Sequence, residues 1–499
     1  MKIAFADFLD WDYQVESAYK IALGGSQSAL CYLAEALAKQ NHEVFLLNNT
    51  SVSGMSCGVM CLPLSTVPHQ LLKSLDALIV LNIAGEGLEI KSLIGEQTRL
   101  ILWTQHAHDQ AAMRGLQNQS ERDVYDGIAL VSDWQRDRFH EKFNIDLTRA
   151  KVLRNAIAPS FCNLLSDDAP VLAHKSQPPI LAYTTTPFRG LDLLLEVFPR
   201  IRTAVPGTRL KVFSSMKVYQ IAETDDNSQY GSLYRQCREM EGVEYIGSVP
   251  QPELARELQS VTVLAYPNTF AETSCISVME AMASGCWIVS SFLGALPETT
   301  AGFARLIPIE NDWETYKNRF VEETVQVLTE CNTTEPRDAE THLMQQLKYV
   351  NSEYTWSVRA EHWVEWLSSL KVKTPITSSL FGFDTSVKAA DFPTLAYQYL
   401  LQGEYSQAAA LYEQAIETYP TVMSNYWHLG LTFLLQGLEV EAQATWTLGI
   451  MNGEPEQAEL WTAELLQLLQ AEAERQKTQG DYQMMQLIQQ YIIEFTTAS

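Results

Sequence analysis

Two successive alternations of short apolar runs with amphipathic stretches constrain this chain more than any other feature. In the first, residues 2–6 read as a strand. Gly24-Gly25-Ser26-Gln27-Ser28 then opens a helix that carries Leu30, Leu33, Leu37 and Ala38 on one face, and further apolar runs follow at 44–47, 77–81, 100–103 and 128–131. A run apolar on both faces is a strand covered on both sides, which is how parallel sheets are built. The alternation predicts a Rossmann-like domain over 1–165. After Asn155-Ala156-Ile157-Ala158-Pro159 the chain turns polar, with Asp167-Asp168 and Pro178-Pro179, before a fresh apolar run at 180–183. Runs at 210–213, 243–246, 261–264 and 287–290 continue the second alternation and predict another Rossmann-like domain over 178–350. Two such domains in tandem leave a cleft, a favoured ligand site.

From Pro393 the pattern changes. A shift of 34 residues aligns Ala396 with Gly430, Tyr399 with Phe433, Gly403 with Gly437, Ala408 with Ala442 and Tyr412 with Trp446. That period is the tetratricopeptide signature, in which small residues let paired helices approach while aromatics fill the gaps. Gly480-Asp481-Tyr482 echoes Gly403-Glu404-Tyr405 out of period and suggests an irregular capping unit. The repeat module is placed at 391–495, joined through a linker at 371–390 that holds Lys371, Lys373, Thr374, Pro375 and Ser378-Ser379.

A formal charge of −25 repels a phosphate backbone or an anionic membrane, so nucleic acid is not the expected partner. The opening Met1-Lys2-Ile3-Ala4-Phe5-Ala6-Asp7 is interrupted by an aspartate where a signal peptide would stay apolar, and no long apolar window follows, so a soluble cytoplasmic protein is expected. Eight cysteines lack paired spacing and read as reduced thiols. Cys57 and Cys61 lie close together, but no second ligand pair follows.

The chemistry centres on Phe270-Ala271-Glu272-Thr273-Ser274-Cys275-Ile276-Ser277-Val278-Met279-Glu280, where two glutamates flank seven residues. A helix beginning near Ser274 places Glu280 about 9 Å along its axis. One carboxylate can then reach a sugar and the other a ribose, while the free amides of 273–276 face a diphosphate. The plainer alternative is an amphipathic helix with two exposed glutamates.

The surrounding order of motifs resembles glycosyltransferase family 4: Val243-Glu244-Tyr245-Ile246-Gly247-Ser248-Val249-Pro250, Glu253-Leu254-Ala255, Ala265-Tyr266-Pro267, the two-glutamate segment, and Gly294-Ala295-Leu296-Pro297-Glu298. The likeness covers about residues 1–370. It implies a GT-B fold, two Rossmann-like domains facing a cleft, with sugar transfer from a nucleoside-diphosphate sugar to a hydroxyl acceptor under retention of configuration. It further implies that Glu272 and the backbone of Thr273, Ser274 and Cys275 meet the donor sugar, and that Glu280 holds the ribose. The family's usual Gly-Phe-Gly is replaced by those three residues. Gly24 and Gly25 match its glycine pair beside the donor phosphates. Arg189 matches a phosphate-gripping lysine, whereas the family's upstream arginine is missing near Tyr183 and Thr184.

At the end of the 100–103 run, either His106 or His108 corresponds to the family's histidine beside the donor sugar. His-x-His before Asp109 also spells a metal site, but GT-B enzymes of this kind generally need no bound metal, so neither metal nor cofactor is expected. Tyr354-Thr355-Trp356 opens a helix, placed at 351–370, that by resemblance crosses back to the first domain. The all-α repeats would bind a protein or peptide or self-associate. Two rival classes remain: a catalytically inactive scaffold whose repeats bind a partner, and a nicotinamide oxidoreductase, against which stands the absence of G-x-G-x-x-G at Gly24-Gly25.

Overall fold

The computed structural model describes residues 1–165, 169–309, 312–331, 337–370, 392–418, 422–452, 458–479 and 481–498. They form two compact units, Met1–Pro375 and Ile376–Ser499.

The first unit holds two sheets. One contains β1 (Lys2–Ala6), β2 (Glu43–Asn48), β3 (Gly54–Ser56), β4 (Val59–Pro63), β5 (Ala77–Leu81), β6 (Arg99–Thr104), β7 (Gly127–Leu130) and β8 (Ala150–Val152), in the spatial order β3-β4-β2-β1-β5-β6-β7-β8. All neighbours are parallel except the β3/β4 hairpin. Its two-residue turn, Cys57-Gly58, has both φ angles positive, at 50° and 82°. The other sheet holds β9 (Ile180–Tyr183), β10 (Arg209–Val212), β11 (Val243–Tyr245), β12 (Val263–Tyr266), β13 (Trp287–Phe292) and β14 (Ala304–Pro308), in the order β11-β10-β9-β12-β13-β14 and parallel throughout.

In both sheets the order reverses beside the first strand, at β1/β5 and at β9/β12. Ligands of open α/β sheets bind outside the carboxyl ends of strands at such a switch point. The glycine turn before Gly25–Lys39 follows β1, the 187–189 turn follows β9, and the two-glutamate segment follows β12. Strand β12 lies two residues later than the 261–264 run suggests. Val261 to Tyr266 is uninterruptedly apolar apart from Thr262, so nothing in the sequence fixes its start.

The chain crosses between the sheets twice, and the crossings are tied together. Ile157 N donates to Tyr354 O at 3.1 Å, and Tyr354 OH donates to Thr299 O at 2.8 Å. The helix Trp356–Ser369 then packs on the first sheet: the rings of Trp363 and Trp103 lie 5.3 Å apart, and a Cβ on Gly127 would sit 2.7 Å from the Trp366 ring. Glycine at 127 is what admits that indole.

In the second unit the described residues form helices Phe392–Gln402, Tyr405–Thr418, Met423–Leu435, Glu439–Asn452, Ala458–Gln479 and Tyr482–Ala498. The 34-residue period has a physical basis. Gly403 and Gly437 turn the chain between paired helices at φ of 81° and 77°. Ala396, Ala408 and Ala442 are fully buried, and a Cβ on Gly430 would lie 2.2 Å from Trp446 Nε1, which donates to Trp427 O at 3.1 Å. The last pair breaks the period because Ala458–Gln479 is 22 residues long. Asp167-Asp168, the linker at 371–390 and Gly480 lie outside the described residues.

Candidate functional site

Between the two sheets of the first unit lies a cavity of about 590 Å³. Gly24, Gly25, His106, Arg189, Glu272, Thr273, Ser274, Cys275 and Glu280 all line it. His108 does not; its ring packs edge-on, 6.5 Å from Trp134.

Both glutamates are buried, Glu272 at 4% and Glu280 at 2% exposure, which removes the plainer alternative of two solvated carboxylates. The helix begins at Ile276, not near Ser274, so Glu280 stands about 6 Å along its axis. The cause is a close backbone approach. Ala295 N donates to Glu272 O at 2.7 Å, and Gly294, at φ 60°, comes so near that a Cβ there would lie 2.4 Å from the same oxygen. Thr273 Oγ1 meanwhile donates across the cleft to Gln105 O at 2.7 Å. These ties fix 272–275, which bends at Thr273, beneath the helix mouth, where first-turn amides and the helix dipole favour an anion.

Glu272 accepts from Arg189 Nη1 at 2.5 Å and from Tyr266 OH at 2.6 Å on the same oxygen. The Arg189 guanidinium stands 4.5 Å from the Phe270 ring centroid and 5.4 Å from that of Phe188. Burial works against its charge, but the Glu272 carboxylate outweighs it and holds the pKa well above the usual arginine value. One terminal nitrogen of Arg189 is thus committed to Glu272, while the residue still lines the cavity. The guanidinium Nε is buried without a partner in the protein, as are the hydroxyls of Thr184, Thr186 and Ser274. Buried polar groups rarely stay unpaired, and this concentration around one cavity marks a ligand site.

Glu280 is held loosely. Ala158 N donates to it at 3.4 Å, and the Gln251 amide, turned with its nitrogen inward, donates at 3.3 Å to both oxygens. Contacts that long compensate little desolvation, and burial pushes the carboxyl up to about 8. His106 is shifted down by burial, and its Nδ1 has no partner. Gln135 fixes the backbone there, donating to His106 O at 2.7 Å and Thr104 O at 3.1 Å. Among the described residues no group of three or more His, Cys, Asp or Glu is placed to hold a metal, and no helix is long and apolar enough to cross a membrane.

A carboxylate latch joins the domains beside the cleft. Glu298 accepts from the amides of Asp133 and Trp134 at 2.9 and 3.2 Å, at the first turn of the helix Asp133–Phe143, and from Arg154 Nη2 at 2.9 Å. Sequence reasoning gave Glu298 no such role; it passed over Trp11, Tyr219 and Gln251, and it noted Tyr266 only as part of a motif, with no role. Tyr266 alone carried a local signal, since it ends a strand six residues before Glu272.

Two Rossmann-like domains facing such a cleft, with an all-helical region after them, give the GT-B fold. Solved structures share the fold. A glycosyltransferase from Rickettsia africae aligns with a TM-score of 0.55 and 11% identity over 74% of this chain and 98% of its own. Sucrose-phosphate synthase from Thermosynechococcus elongatus gives 0.54 and 14%, over 74% and 98%. Anabaena HepE in complex with UDP-glucose gives 0.52 and 12%, over 74% and 100%. Residues 180–323, which carry Arg189 and both glutamates, match the family described as Glycosyl transferases group 1. No curated protein sequence matches the chain.

Proposed function

We propose that the protein is a retaining glycosyltransferase similar to family 4, moving a sugar from a nucleoside-diphosphate sugar to a hydroxyl acceptor. The observation that carries this reading is the pair of buried carboxylates, Glu272 and Glu280, on either side of a helix mouth in the interdomain cleft. A carboxylate buried with only long contacts to protein donors is suited to the paired hydroxyls of a ribose, and Glu280 takes that place. Glu272, the amides after it and His106 address the sugar. As the glycosidic bond breaks, charge builds on the diphosphate and is met by Arg189, the helix mouth and the glycine turn at 24–25. The departing phosphate takes the acceptor proton on the same face, which retains configuration without a covalent nucleophile. No metal is required, so chelator should leave turnover intact.

HepE was solved with UDP-glucose, with UDP and with UDP and glucose, which supports a nucleotide sugar as the ligand class here too. A thermal-shift panel of UDP, GDP, ADP and their sugars tests it, because a ligand bound only by the native state raises its apparent stability. If no nucleotide shifts the transition, the reading is wrong. Anomeric configuration of the product, read by NMR, then tests retention.

A second reading, a nucleotide-binding scaffold with little turnover, is favoured by the commitment of Arg189 to Glu272 and the missing second cation. Donor hydrolysis by the purified protein separates the two. The C-terminal helices, tetratricopeptide-like in period, are assigned to holding a protein or peptide partner or a second copy of the chain.

A further inference from the structure

Trp11 stands at the mouth of the cleft on the loop after β1. Its ring carbons lie 3.4 Å from where a Cβ on Gly24 would sit, and its ring centroid is 6.3 Å from that of Tyr219 on the opposite domain. The loop is pinned on both sides of it. Leu9 O accepts from Trp11 N at 2.8 Å and from Asn49 Nδ2 at 3.0 Å, while the Asp12 carboxylate accepts from Ser51 N and Ser51 Oγ at 2.9 and 2.6 Å. Behind it, buried Asp7 accepts from Tyr13 OH at 2.6 Å and Gln27 Nε2 at 3.0 Å. A partly exposed indole fixed in this way is a preorganised face for a flat apolar surface.

Charge narrows what that surface belongs to. Among the described residues lining the cleft, Arg189 is the one Lys or Arg, and Glu272 already matches it. Beside Trp11 the first domain presents Leu9, Gln110 and His106, and burial keeps the imidazole on the neutral side. The basic side chains flanking the lining in sequence, Lys20, Arg114 and Lys217, are exposed to solvent, and Lys20 pairs with Glu16 at 2.8 Å. Among the described residues no Lys or Arg of the first domain lines the cleft to meet an acceptor phosphate or carboxylate, in a chain of net charge −25.

We propose that the acceptor is a neutral pyranose whose C–H face rests on Trp11, with His106 and Gln110 beside its hydroxyls, making Trp11 a specificity determinant for an uncharged glycan. This rests on the nucleotide-sugar reading of the cleft. The acceptor hydroxyl oxygen bonds the anomeric carbon as the bond from that carbon to the diphosphate oxygen breaks. The bonding pair leaves with the nucleoside diphosphate, and the hydroxyl proton passes to its departing oxygen.

The test offers the full-length protein UDP-, GDP- and ADP-sugars together with methyl glycosides of neutral hexoses and the corresponding hexose phosphates, with products read by mass spectrometry. Transfer to the neutral glycosides should dominate. Trp11→Ala should raise the acceptor KM about tenfold while moving the donor KM less than about threefold, and Trp11→Phe should recover most of the loss. A preference for hexose phosphates overturns the proposal. So does a donor KM that rises as much as the acceptor KM, which would place the nucleotide base on Trp11. Donor hydrolysis with no transfer to any neutral glycoside overturns the acceptor class alone, whereas a protein that neither binds nor hydrolyses any donor sinks the reading beneath it.

Discussion

Glu280 provides a sharp test of the cleft, because its proton must be settled before a ribose can bind. In the free protein burial holds its carboxyl at about 8, so at neutral pH most molecules carry the protonated form. Two ribose hydroxyls donating to the carboxylate would supply the short hydrogen bonds that Ala158 and Gln251 do not, and would return the group toward the ordinary range. Nucleotide binding then expels a proton. With a free-state pKa of about 8, ionising Glu280 costs roughly 1.4 kcal/mol at pH 7 and nothing well above pH 8. Affinity should therefore rise about tenfold per pH unit up to near pH 8 and level off beyond it.

The same shift governs folding. A carboxyl whose folded pKa is raised favours the native state most below its unfolded value, and that contribution drains away as pH climbs to about 8. The free protein should lose stability over this window, and bound nucleotide should restore it. The assay is calorimetry with the best-binding nucleotide at half-unit steps from about pH 6.5 to 9, in buffers of different ionisation enthalpy so that proton release is counted directly. A terminal phosphate ionises near pH 6 and His106 titrates below its usual value, so neither supplies a slope between about pH 7 and 8. Glu280→Gln should bind more weakly at high pH and show no slope there. A wild-type affinity flat across this range, or an identical slope in Glu280→Gln, would remove the carboxyl from the site.

Three further outcomes are expected. Arg189→Ala should lower the turnover number more than it raises the donor KM, because leaving-group charge peaks in the transition state; it should also reduce stability by about 3–5 kcal/mol in urea denaturation, by stripping a buried carboxylate of its cation. Glu298→Ala releases two helix-start amides and leaves Arg154 only its pairing with Asp133, and should cost about 1–3 kcal/mol and raise the donor KM with less effect on turnover; unchanged domain closure by small-angle scattering would refute the latch. A chain ending near residue 375 should stay soluble and hydrolyse donor while losing activity on a macromolecular acceptor, and loss of donor hydrolysis would mean the helical unit supports the catalytic one.

The two alternations announced the sheets because their central strands are apolar on both faces. β3, β4, β8 and β14 escaped notice: β3, β8 and β14 are partly exposed edge strands without a continuous apolar run, and β4, though apolar, is short and pairs with the edge strand β3. The glutamate pair and Arg189 were legible as a local spacing and a motif position. Their burial was not, since it depends on Gly294 and Thr273 meeting partners far away in sequence. Trp11 was illegible for a similar reason, because its neighbours are set by loops ending at Asn49 and Ser51 and by a turn in the other domain.

The apparent gap at the missing arginine has a different character. With a single cation already paired to Glu272, this cleft cannot neutralise a diphosphate charge for charge. What it holds instead are hydroxyls at Thr184, Thr186 and Ser274 without partners in the protein, an unpaired Arg189 Nε and a helix mouth above the bent 272–275 segment. Oriented neutral dipoles stabilise developing charge with little reorganisation, and they do so without the burial cost of a second unpaired cation. They also bind an anion with less dependence on salt than a cluster of cations would, since mobile ions screen net charges most strongly. Under the proposed function the threonines would take the place of the missing arginine in stabilising the leaving group. Replacing Thr184 and Thr186 together by valine should then depress turnover, leaving the weak salt dependence of donor binding unchanged.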